Sequence, residues 1–140
     1  MHYGKVLMAM VEDFFNAHER HWDDAEFLYQ KQRWANADHL YGLSAECGLK
    51  WLMEKFQNAS IASSQKKHVN HAWVLYETCR NGHGIGAQFV LPQQNPFQNW
   101  DISDRYADQK LFSEAITNSH KSGAKLIVDL VQKAFLEGMT

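Results

Sequence analysis

Residues 33–53 read RWANADHLYGLSAECGLKWLM, and the spacing within them decides the fold. Small or apolar residues recur at Ala37, Leu40, Tyr41, Ser44, Cys47, Gly48, Trp51 and Leu52, in steps of three and four that share one helical face. A second row, Leu43, Leu49 and Met53, covers much of what remains. A helix apolar over so much of its circumference belongs in a core. It nevertheless carries Asp38, His39, Glu46 and Lys50, and every ionisable group buried there needs a partner. The stretch is therefore both the centre of the fold and the first place to look for a site.

Working outward, the pattern stays helical. Residues 3–17 predict an amphipathic helix through Val6, Met10, Phe14 and Ala17. A second helix, from about His21 to Lys31, turns Trp22, Ala25, Phe27, Leu28 and Tyr29 towards a core. Arg33–Asn36 reads as the turn into the central helix, which extends to about Phe56. The stretch NASIASSQ, residues 58–65, is small and polar and reads as a loop. A further helix, about Lys67 to Arg80, carries Val69, Ala72, Trp73, Tyr76 and Cys79.

From Asn81 to Ala107 the chain holds both prolines, three of the eight glycines and no sustained periodicity. A connection that long in a compact domain is usually functional or mobile. Its aromatic residues, Phe89, Phe97, Trp100 and Tyr106, predict that it packs back on the helices. The last helix, about Gln109 to Leu136, places Phe112, Ala115, Ile116, Ser119, Gly123, Ile127, Leu130 and Ala134 at helical spacing. The expected fold is all-α: an antiparallel bundle of four to five helices with a long irregular loop before the last one.

The 140 residues are most simply one domain, 1–140, large enough to close a core without disulfides. A net charge of −2 argues against broad adhesion to nucleic acid or an anionic membrane, though not against a local basic pocket. Cys47 and Cys79 lie on apolar helical faces and read as two buried thiols of a reducing compartment rather than a redox pair. The N-terminus lacks a signal-peptide pattern and no stretch is long enough to span a bilayer, so a cytoplasmic location is expected, with no membrane partner.

Over His21–Met53 the sequence RHWDDAEFLYQKQRWANADHLYGLSAECGLKWLM resembles the higher eukaryotes and prokaryotes nucleotide-binding (HEPN) superfamily, in its long first helix followed by an Ala-Glu-Cys-rich second one. The likeness extends to NPFQNWDISDRY, residues 95–106, where the Arg-Tyr pair before the final helix is similar to a recurring family feature. It covers most of residues 20–130 and leaves the first 17 as an N-terminal helical extension. The resemblance implies a helical bundle acting in nucleotide- or RNA-linked biology, in a toxin–antitoxin or defence context. It also implies a homodimer, with an operon-encoded protein as a further partner.

Catalytic family members cut RNA with an Arg followed four to six residues later by His, two protomers bringing these motifs together. Arg33 and His39 have five residues between them but stand at the start of the central helix rather than late in the domain. In Arg80-Asn81-Gly82-His83 the His comes two residues early, and Arg105 has no His at that spacing. Arg33 and His39 are thus the catalytic candidates, His39 for proton transfer. The motif leaves metal-independent RNA cleavage open beside a non-enzymatic reading, a dimeric protein-interaction module.

For ligand binding the resemblance and residue types point to Arg105 on a phosphate and Tyr106 or Trp100 stacked on a base. Glu46 and Lys50, four apart with Glu first, suit an intrahelical pair. Alternatively Glu46 holds Arg105 and pins the loop. Asp38, in the first helical turn, complements the helix dipole. Among the eight histidines, His18 and His21 are three apart, as are His68 and His71, but no cysteine pair or carboxylate cluster completes either set. No metal or cofactor is expected. Gly82–Gly86 lacks the strand and helix of a phosphate loop and reads as a turn.

Overall fold

The computed structural model describes residues 11–139. Within them are four α-helices: α1 (Phe14–Gln30), α2 (Trp34–Gln57), α3 (Val69–Asn81) and α4 (Glu114–Leu136). They are joined by irregular segments with short 3-10 turns, and no strand occurs among the described residues. The all-α expectation holds, and α2 is the central element. Its Ala37, Tyr41, Ala45, Leu49, Leu52 and Met53 are fully enclosed.

The helix boundaries differ from the sequence reading in three places. No break separates residues 17 and 21: α1 runs through, capped by the Asp13 carboxylate accepting from the Asn16 amide at 3.0 Å. His18, between the two expected helices, is buried against α2. The expected helix over residues 3–10 lies outside the described residues. The turn into α2 falls at 31–33 rather than 33–36. Gln32 takes a left-handed φ of 59°, while the Arg33 amide donates to Leu28 O and the Gln32 amide to Tyr29 O. That is the double closure usually built on glycine, so glutamine there gave no signal. Finally, α4 begins at Glu114, capped by Ser113; Gln109–Leu111 form a separate 3-10 turn.

Side-chain pairings set the helix directions. Phe15 meets Trp51, Trp22 meets Tyr41 and Tyr29 meets Trp34, so α1 and α2 are antiparallel. Along α4, Thr117 reaches Trp34, His120 reaches Asp38 and Ile127 lies over Gly48, so α4 runs parallel to α2. Helix α3 is parallel to α2 as well, from His68 beside Glu46 to Cys79 beside Gln57. The antiparallel arrangement thus applies to α1 against its neighbours. The two irregular connections, 58–68 and 82–113, return along α2 in place of reversing helices.

The long connection is anchored by buried aromatic residues. Phe89 packs on Phe56, and its carbonyl accepts from the Tyr76 hydroxyl at 2.6 Å. Phe97 and Trp100 enter between α2 and α4, where glycines receive them. A Cβ on Gly123 would lie 2.9 Å from Phe97, and one on Gly42 would lie 2.2 Å from the Trp100 indole. Trp100 Nε1 also donates to Asp38 O at 3.2 Å. Tyr106 departs from expectation: it is 77% exposed and does not pack back. Phe27, expected in the core, is likewise exposed, with the Lys31 ammonium 5.6 Å above its ring.

Candidate functional site

The N-terminus of α2, the 3-10 turns at 102–111 and the start of α4 meet around two clefts. The first, of about 320 Å³, is lined by Arg33, Trp34, Asn36, Asp104 and Arg105 among others. Arg33 is the N-cap of α2, and no side chain accepts from the first amides of that helix. Orphan N–H groups and the positive end of the helix dipole therefore border the same space as two guanidinium groups. Neither arginine is held in an ion pair among the described residues, in contrast to Arg80, which forks onto Glu77. The Arg105 guanidinium lies 4.7 Å from the centre of the exposed Tyr106 ring.

The second cleft, of about 190 Å³, shares Asp104 and Ala107 with the first and is lined further by Asp38, Asn99, Leu111, Phe112, Ile116 and His120. Its floor is a three-residue chain. His120 Nδ1 meets Asp38 Oδ1 at 2.5 Å, and His120 Nε2 meets Asn99 Oδ1 at 2.8 Å. Asp38 and His120 are 1% and 2% exposed, and Phe97 stacks on the imidazole at 5.4 Å. The chain ties α2, α4 and the long connection together. Asp38 therefore does more than complement a helix dipole, because it carries a buried cross-helix hydrogen bond. Neither His120 nor Asn99 was a candidate from sequence.

The other candidates are dispersed. Glu46 accepts from Lys50 at 2.8 Å and pairs with His68 Nδ1 at 3.1 Å, so its oxygens are occupied and it does not hold Arg105. Trp100 is 1% exposed and wedged against Gly42, so it offers no face to a base. His39 is half-buried and stacks on Trp100 at 5.7 Å. It does not line the cleft that holds Arg33. Its Nδ1 is enclosed without a hydrogen-bond partner among the described residues, as is that of His21. His83 Nδ1 is spent on Cys79 O at 2.8 Å.

Among the described residues no three His, Cys, Asp or Glu side chains are gathered as a metal site. Cys47 and Cys79 are free and buried, and burial pushes the Cys47 thiol up to about 12, which removes its nucleophilic form at neutral pH. No helix of the described residues is long and apolar enough to cross a membrane. A wider groove of about 690 Å³ runs between α3 and residues 90–98, past Val74, Val90 and Pro92. Its charged groups are already paired with one another, Arg80 on Glu77.

Three histidines near α1 and α2 share one electrostatic property. His18, whose Nδ1 lies 2.8 Å from Ser44 O, is held below the ordinary imidazole range chiefly by burial, and His21 and His39 are lowered for the same reason. The unfolded chain takes up protons near pH ~6.5, before the folded protein does. Acid therefore favours unfolding: the stability is present above that pH and is lost as pH falls from there towards the depressed folded values. The melting temperature is expected to drop between pH 7.5 and pH 5, and His18→Gln to flatten the profile. An unchanged slope in the variant would remove His18 as a cause.

No family model, characterised protein or solved structure matches the chain.

Proposed function

We propose that the chain binds a nucleotide or an RNA end, with the phosphate seated in the cleft between Arg33, Arg105 and the N-terminus of α2. The observation that carries the reading is the meeting of two arginines without an ion pair among the described residues, from distant parts of the sequence, at the uncapped start of a 24-residue helix. Backbone N–H groups, the helix dipole and two planar guanidinium groups all favour a phosphate there. Exposed Tyr106, beside Arg105, supplies an aromatic face for a base. The resemblance to the HEPN superfamily agrees with a nucleotide- or RNA-linked role and with action as a homodimer. Binding is proposed without cleavage, since His39 is stacked on Trp100 and does not line the cleft that holds Arg33.

The test is calorimetric titration with nucleoside monophosphates and with a short 5′-phosphorylated RNA. Arg105→Ala is expected to weaken binding by about 10- to 100-fold, the loss of one charge-assisted contact, with Arg33→Ala acting in the same direction. Both should leave the melting temperature nearly unchanged, as both side chains are exposed. Wild-type protein that binds neither ligand would overturn the reading and leave the protein-interaction module in its place.

A further inference from the structure

We infer that the second cleft selects nucleobases carrying an exocyclic amino group, as in cytosine and adenine, over their oxo counterparts. The inference rests on the phosphate reading above and extends it to the neighbouring space. The two clefts meet at Asp104 and Ala107 and differ in the groups that only one of them holds. The first is edged by arginines. The second has the Asp38 carboxylate on its floor, and Asp104 stands on the boundary that both clefts share. A ligand spanning both would have to be anionic at one end and a hydrogen-bond donor at the other.

The carboxylate on the floor is built in, not incidental. Asp38 is 1% exposed and its Oδ1 is fixed by His120, while among the described residues nothing donates to its second oxygen. An oxygen left open on the floor of the cleft can accept an N–H from a ligand seated there. An exocyclic amine supplies such a group, whereas the oxo group at the same position would bring lone pair against lone pair. Asn99 gives His120 its oxygen and so keeps its amide hydrogens for a neighbouring ring acceptor.

The walls suit a flat, weakly polar ring. Phe112 and Ile116 line the cleft, and Leu111 stands at it 68% exposed, a large apolar surface left to water at the edge of a polar floor. Apolar walls with a few convergent polar groups are the usual make-up of a small-molecule site. The volumes, about 320 and 190 Å³, give the phosphate and the base separate seats.

The experiment is a paired titration of the whole protein with CMP against UMP and AMP against IMP, repeated with cytidine and uridine. The amino member of each pair should bind about 10-fold tighter or more. The cytidine–uridine difference should persist without the phosphate. Asp104→Asn, at a partly exposed position, should bring the ratios towards one. Asp38→Asn should do the same if it folds, with Asp104→Asn deciding if it does not. Equal affinities within each pair would overturn the inference while leaving the phosphate reading intact. Absence of binding by any nucleotide would overturn both. Ratios unmoved by Asp104→Asn and by a folded Asp38→Asn would overturn the assignment to this cleft.

Discussion

His120→Ala is expected to destabilise the protein by about 3–5 kcal/mol, the scale of breaking a buried pair by removing one partner. The loss comes less from the hydrogen bond than from what remains. Asp38, 1% exposed, would keep a carboxylate at the junction of α2 and α4 without its donor. Asn99 would lose its contact and the long connection one of its ties. Removing both partners should therefore cost less than the sum of the single losses, because the second mutation takes away the group that the first stranded. Urea unfolding of His120→Ala, Asp38→Ala and the double variant measures this coupling. Strictly additive losses would show that the two side chains act separately.

The second large effect is a change of sign. Trp100→Ala should cost about 3–5 kcal/mol, the usual range for emptying a buried tryptophan site. The ring fills the notch at Gly42, stacks on His39 and donates to the Asp38 carbonyl. Gly42→Ala should be damaging for the converse reason. Its new methyl would arrive 2.2 Å from the indole, an overpacking that costs about 1–3 kcal/mol. With Trp100 already replaced by alanine, the obstacle is gone. Alanine then exceeds glycine in helix propensity by about 1 kcal/mol, so Gly42→Ala should become stabilising. Denaturation curves of the four proteins test the reversal, and Gly42→Ala damaging in both backgrounds would refute the contact.

The fold was legible where apolar spacing was continuous. The 3-4 pattern of residues 37–52 located the central helix to within a residue at its C-terminal end, and the aromatic content of the long connection foretold the burial of Phe89, Phe97 and Trp100. Legibility failed where polar groups are buried. In α4 the enclosed residues are Thr117, His120, Gly123, Ala124, Ile127, Val131 and Ala134. A reading that admits only apolar or small residues passes over Thr117 and His120 and selects Ala115, Ile116 and Ser119, which are exposed. Continuing the spacing of Ala124, Ile127 and Val131 backwards lands on His120 and Thr117, so the signal was present in the phase of the helix. The same exclusion hid His18 in α1. The Asp38–His120–Asn99 chain was out of reach because its members come from three separated segments. For Arg33 and Arg105 residue type gave candidates, and only the fold placed them in one cleft.

The ties that make the clefts span 82 residues from Asp38 to His120 and 62 from Asp38 to Trp100, whereas the antiparallel pair α1–α2 is joined by contacts as near as Glu26 to Tyr41, 15 apart. Loop closure makes distant contacts slower to form, so the helical hairpin is the natural early unit and the wedge of residues 96–100 a late one. In hydrogen exchange the site is then expected to open more readily than the α1–α2 hairpin. A ligand held there would act as a latch on that sub-global opening, adding protection to the connection and the start of α4 before it altered the α1–α2 hairpin.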